Sequence, residues 1–417
     1  MKEKKNRGIT LIALIITIIV LLILAVVAIS AVSGNGILNH ASNARNKYSD
    51  AQKNEQKTLQ GYLGYLDESQ LASKKVKDNL NKVLSTSGNL TLEDDFGNKI
   101  KVPAGFKILV DDTTGYTADD IDVTKGIVVE DTQAETAGNQ FVWIPVGKIY
   151  TDKEKTEENA KTITLGRYVF KSDGTIDEEL SQSAPEGQLK HNSSASVYFI
   201  EGKKNEATTN AHAKDIEAFV SKTNASGGYY IGRYEARVEN YDASNISTKN
   251  SSSSEDWTGY VAESEKELKL VSKAKSQVWN RVTQKKASNL CQSMYTDKPY
   301  ESDLVNGYAW DTVIVFIQEF ENSTYSQTKG KATDSKLSNT GLSILKETSA
   351  VDKQCNIYDM AGNCYEWSTE TNNVSNSPCL GRGGNYNSST SSPSSRNITS
   401  SASSAIAMIS FRPVLYM

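Results

Sequence analysis

The chain has 417 residues, enough for a sizeable core and for more than one structural unit. Its net charge is −4, from 46 basic and 50 acidic residues, so it lacks the basic footprint of a nucleic-acid binder and no nucleic-acid partner is expected. Four cysteines are too few for a disulfide scaffold, and three histidines (His40, His191, His212) scattered among polar residues argue against a His-built zinc or catalytic site.

Residues 1–8, Met-Lys-Glu-Lys-Lys-Asn-Arg-Gly, form a short basic leader. Ile9 to Val32 then run without a charge and consist mostly of Ile, Leu, Val and Ala. As a helix this stretch would be roughly 36 Å long, which predicts a transmembrane helix over 9–32. The basic leader would stay inside, placing the rest of the chain outside a cell membrane crossed once. Arg7-Gly8-Ile9-Thr10-Leu11-Ile12 resembles the class III leader of type IV prepilins. That resemblance implies cutting between Gly8 and Ile9 by a prepilin peptidase, methylation of the new amine, and assembly with other pilins into a surface filament. Ala13 stands where those proteins carry a Glu that pairs with a neighbour's amine, which counts against filament entry.

Residues 33–94 read as a helical stalk. Leu38, Ala41, Arg45 and Tyr48, then Leu59, Tyr62, Leu63 and Leu66, recur at spacings of three and four, and a second helical piece is expected within 67–92. Near Phe96 the pattern turns to strands: Lys99 to Val110 around a Pro-Ala-Gly turn, Gly126 to Glu130, and Gln140 to Val146. A polar insertion covers about 150–215. A short helix from Asp215 to Lys222, a strand in Gly227 to Arg237, and helices over Gln284–Tyr295 and Asp303–Gln318 follow. Trp143, Tyr230, Trp310, Trp367 and Phe411 are the expected core aromatics.

The closing stretch carries three punctuated pieces: Ile357-Tyr-Asp-Met-Ala-Gly-Asn-Cys-Tyr-Glu-Trp367, Arg382-Gly-Gly-Asn-Tyr386 and Ser410-Phe-Arg-Pro-Val-Leu415. Their Gly-Asn and Gly-Gly pairs mark sharp turns or close backbone approaches. In order and spacing they resemble the formylglycine-generating enzyme (sulfatase-modifying factor) family, a variant of the C-type lectin fold. The resemblance implies an α+β head over 95–417 with little regular structure. It further implies calcium as a candidate cofactor at Gly362-Asn363 and Glu366, where hard oxygen ligands suit that ion. The family's enzymes hold copper on two cysteines, and the corresponding positions here are Ser388 and Pro393, so that chemistry is not expected and the head is read as non-catalytic. Arg382 and Arg412 are read as structural, and the cysteines as small buried hydrophobes or one disulfide.

From Asn385 to Ser404, fifteen of twenty residues are Ser, Asn or Thr. In the lectin-like fold this stretch lies on the exposed binding face. Tyr386, Asn387, Ser388, Arg396 and Asn397 are therefore the candidate contacts for an extracellular ligand, glycan or protein. The stretch also resembles the diversified segments of proteins varied by diversity-generating retroelements. The leading expectation is a membrane-anchored, pilin-like adhesion protein with a lectin-like binding head. The alternatives are a superfamily enzyme with altered chemistry, or a structural minor pilin or pseudopilin.

Overall fold

A computed structural model describes residues 11–33, 74–182, 188–191, 194–201, 212–239, 269–274, 277–280, 282–329, 352–372, 378–385, 390–396, 398–401, 404–406 and 408–417, with five single positions between 45 and 55. The chain divides into two compact units, Met1–Tyr62 and Leu63–Met417.

In the first unit Leu11–Ser33 is helical. Among the described residues, however, no helix is long and apolar enough to cross a membrane. The expected transmembrane, pilin-like helix over 9–32 is corrected accordingly. Gly8 and Ile9 lie outside the described residues, as does most of 33–73.

The second unit is a mixed α+β structure, with far more regular structure than expected. The helical piece expected within 67–92 is absent from the described residues 74–92. A single 3-10 turn, Val76–Asn79, leads to the strand Leu90–Glu93, which pairs antiparallel with Lys99–Val102. Leu90 and Leu92 face inward while Thr91 and Glu93 alternate with them, so the two-residue period prevails over the helical one.

One six-stranded antiparallel sheet runs in the order Glu301–Leu304, Pro413–Tyr416, Gly228–Gly232, Gln140–Pro145, Val128–Asp131, Phe106–Ile108. The chain's closing strand thus lies second in the sheet, between segments from the middle of the sequence. A second sheet runs Ile398–Ser400, Cys379–Arg382, Tyr365–Asn372, Ser194–Glu201, Gln188–His191, with Ile409–Phe411 added parallel to Tyr365–Asn372. The Gln188–Glu201 hairpin of the polar insertion therefore extends the sheet built from the closing motifs.

The helices follow their caps. Asp215 accepts from Ala218 N–H and opens Ile216–Ser226, which ends at left-handed Gly227. Thr283 caps Gln284–Ser293. The helix expected from Asp303 starts instead at Gly307, because Glu301–Leu304 is taken by strand pairing and Asn306 caps the helix through Ala309 N–H. The Gly307–Phe320 helix buries Trp310, Val313, Ile314 and Ile317 at spacings of three and four against the first sheet. Trp143, Tyr230 and Trp310 belong to this main core, and Trp367 and Phe411 to a second cluster with Trp279. All five expected core aromatics are fully buried.

Candidate functional site

The three closing motifs meet. Gly383 adopts φ +79, and a Cβ on it would stand 2.5 Å from the carbonyl oxygen of Met360. A Cβ on Gly384 would stand 2.0 Å from that of Ala361. The Gly-Gly pair is thus the surface on which the Asp359–Asn363 turn rests, and Asp359 and Asn363 themselves take positive φ. Arg412, from the last motif, reaches into the first: it donates to both oxygens of Glu366, to Gly232 O at 2.8 Å and to Tyr358 O at 2.7 Å. Arg412 ties three backbone segments together, as expected of a structural arginine.

The serine-rich segment is placed differently from expectation over its described part. Residues 391–393 and Arg396 are buried, while Thr390 is exposed. Pro393 O accepts from Trp310 Nε1 at 2.8 Å, Ser395 O accepts from Arg382 Nε at 3.2 Å, and Ser391 Oγ meets Tyr365 Oη at 2.9 Å. Ser394 Oγ donates to Ser326 O at 2.7 Å. Arg396, expected as an exposed ligand contact, is 7 % exposed. It lies in an ion-pair network, because a guanidinium taken out of water needs charged partners. Tyr386, Asn387, Ser388 and Asn397 lie outside the described residues.

That network is a clasp around two carboxylates. Glu370 sits on the Tyr365–Asn372 strand and Asp311 on the second turn of the Gly307–Phe320 helix, both fully buried. Glu370 accepts from Arg167 Nη2 at 2.7 Å, Arg382 Nη1 at 2.6 Å and Arg396 Nε at 3.2 Å. Asp311 accepts from Arg382 Nη2 at 2.6 Å, from Arg396 Nη2, and from the Tyr168 backbone N–H at 2.8 Å. Burial pushes the Glu370 carboxyl upward, but Arg396, Arg382 and Arg167 outweigh it and hold the group well below the usual carboxylate range. Nearby Glu201 accepts from Thr369 Oγ1 and from the helix N-terminal Gly307 N–H at 3.2 Å. Burial raises its carboxyl to about 7 against the pull of Arg167. Sequence reading missed Glu370, Asp311, Arg167 and Glu201. A signal existed: an acidic residue on an otherwise apolar helix face, as at Trp310-Asp311, or at every fourth place of a buried strand, as at Glu366 and Glu370, points to an inward charge with a partner.

The calcium expectation fits poorly. Both Glu366 oxygens are taken by Arg412, so this carboxylate is not aimed at a cation. Asn363 Nδ2 donates to Glu235, and its Oδ1 is buried without a partner. Among the described residues no group of three or more His, Cys, Asp or Glu is arranged to hold a metal ion. All four cysteines are buried. Burial pushes the thiols of Cys291, Cys355 and Cys364 well up and that of Cys379 to about 12, so they are protonated near neutral pH and poor nucleophiles.

The arrangement therefore organises segments: every buried arginine of the clasp is matched by a carboxylate, and the clasp lies beneath the segment in which ligand contacts were expected. No family model, curated protein or solved structure matches the chain.

Proposed function

We propose that the unit Leu63–Met417 is a binding module, a non-catalytic relative of the formylglycine-generating enzyme family. Its contacts to an extracellular glycan or protein are Tyr386, Asn387, Ser388 and Asn397. The observation that carries this reading is the anchoring of residues 390–396. A segment of serine, threonine and asparagine is fixed by Trp310, Arg382 and the Glu370–Asp311 clasp, all of which are buried. Binding loops work best as adaptable polar groups on a rigid support, because ordering them on contact then costs little. Asn385 is buried and Thr390 is exposed. Arg396 belongs to the support and not to the contact set.

The test is a paired measurement on the full chain. Tyr386→Ala, Asn387→Ala and Asn397→Ala, singly and together, should leave the melting temperature near that of wild type, since substitutions that remove a ligand contact and no core packing shift stability by about 0.5 kcal/mol. Binding to a printed glycan array or to intact cells should fall sharply, because a few aromatic and polar anchors carry most of an interface's energy. Variants that melt and bind like wild type would place the contacts elsewhere.

A further inference from the structure

We propose that Asp303 is a proton-operated latch: its buried carboxyl fastens residues 212–215 to the strand Glu301–Leu304, closing below neutral pH and loosening above it. Three elements meet at this one side chain. Oδ2 accepts from the backbone N–H of Lys214, in the segment that leads into the Ile216–Ser226 helix. Oδ1 accepts from Gln292 Nε2 of the Gln284–Ser293 helix at 3.0 Å and from the Leu304 N–H of its own strand at 2.8 Å. Gln292 Nε2 also donates to His212 O at 3.2 Å, so the same joint holds both ends of 212–214. The Ile216–Ser226 helix beyond is held differently, by Phe219 against the rings of Tyr229 and Tyr416 at 5.4 and 5.2 Å. Apolar packing of that kind does not respond to protons, which confines the latch to the residues ahead of the helix.

All three donors to Asp303 are neutral. Among the described residues it makes no ion pair, because the Lys214 ammonium lies 3.1 Å from Glu301 Oε2 and Lys222 pairs with Glu301 as well. The other groups around it bring no positive charge closer. Tyr416 on the neighbouring strand and Cys291 on the helix are kept neutral by burial, and Asp215 and Glu366 are acids themselves. His212 contributes its carbonyl, through Gln292. An ionised carboxylate held out of water by dipoles alone is disfavoured. Two events relieve it: binding a proton, or releasing residues 212–215 so that water reaches the carboxylate. Burial accordingly raises the carboxyl from 3.8 to about 7. Closed, the group keeps its proton up to about pH 7; open, in water, it gives the proton up near its ordinary value. Proton binding favours closure between those limits, and the advantage is lost as pH rises through about 7.

The test is amide hydrogen exchange on the full chain at about pH 5.5 and about pH 8.5, each rate compared with that of an unstructured peptide at the same pH. The Lys214 N–H reads the latch directly. The Trp143 N–H, bonded to Ile127 O at 2.9 Å in the first sheet, reads the opening of the whole unit. Lys214 should be less protected than Trp143 at both pH values, and its own protection about tenfold greater at the lower one. Asp303→Asn, whose amide does not titrate in this range, should remove that difference. Protection of Lys214 that ignores pH, or a pH difference that survives in Asp303→Asn, would overturn the proposal. Protection equal to that of Trp143 at both values would overturn it too, since residues 212–215 would then open only with the rest of the unit. Where Asp303→Asn does not fold, the carboxyl carbon NMR signal of Asp303 in the wild-type chain decides: a titration midpoint at about 7 is expected, and one at about 4 would overturn the latch.

Discussion

Two buried charge clusters, one on each half of the Tyr365–Asn372 strand, use the same residue types to opposite effect. Around Glu370, three arginines (Arg167, Arg382, Arg396) meet three acids (Glu370, Asp311, Glu201), and the Glu370 carboxyl is held ionised. Around Glu366, Arg412 and Arg237 face Glu366, Glu235, Asp359 and Asp352. There burial and mutual repulsion win: Glu235 rises well above the ordinary range, Asp359 to about 7, and Glu366 and Asp352 are raised too. Matched charge makes a clasp that can gather three distant segments, whereas surplus acid must be relieved by protons. The clasp lies under the candidate binding segment, and the surplus lies under the Asp359–Asn363 turn.

The sharpest way to break this comparison is to remove the clasp's centre. Glu370→Gln keeps the shape but leaves three buried guanidiniums short of a charge, and should cost about 3–5 kcal/mol in a denaturant melt. A loss below 1 kcal/mol would mean the arginines find other partners and the clasp is not the organiser described. Gly384→Ala tests the meeting of the motifs from the other side. A methyl forced against Ala361 O should cost about 1–3 kcal/mol by the same measurement.

The pH dependence separates the two kinds of acid. Glu201 and Asp303 are buried, and burial raises each carboxyl to about 7, above the ordinary values of 4.5 and 3.8. A raised carboxyl binds its proton more tightly in the folded state, so its stabilising contribution is complete below the unfolded value and lost as pH rises through about 7. Stability should therefore increase, on the order of 1–3 kcal/mol, as pH falls from 8 to 5. Below about pH 4 the trend should reverse, because Glu370, held down by its arginines, loses its contribution as it is protonated. Urea melts across this range check both limbs, and Asp303→Asn should flatten the upper one. The smallest effect concerns Ser410, whose hydroxyl is buried without a partner. Ser410→Ala should stabilise the chain by about 1 kcal/mol, since an unmet polar group is removed at no cost in shape.

Much of the second unit was legible because its signals are local. Asp215 and Thr283 are helix caps within three residues of the N–H groups they bind, and the helices expected at Asp215 and Gln284 follow them. Trp310, Trp367 and Phe411 sit in apolar patterns, and Gly383 and Gly384 occupy places where a Cβ has no room. The role of Arg396 was not legible. It stands in a run whose composition reads as a solvated loop, and its partners Asp311 and Glu370 are 85 and 26 residues away. The start of the Gly307–Phe320 helix was misjudged for a similar reason. Asp303 has helical neighbours in sequence, but the strand it joins pairs it with Val414 near the chain's end.

Residues 391–396 are an anchored support and not a free loop, and native-state hydrogen exchange on the full chain is the measurement that decides between the two. The Ser394 N–H donates to Ser326 O at 3.3 Å, that of Ser395 to Ser392 O at 2.8 Å, and that of Ser392 to Ser395 Oγ at 2.9 Å. Exchange at these amides should be slowed by at least roughly a hundredfold relative to an unstructured peptide, as for groups that exchange only when a packed segment opens. Exchange at the unstructured rate would contradict it: the clasp would then not hold the segment, and the rigid support proposed for the ligand contacts would not exist.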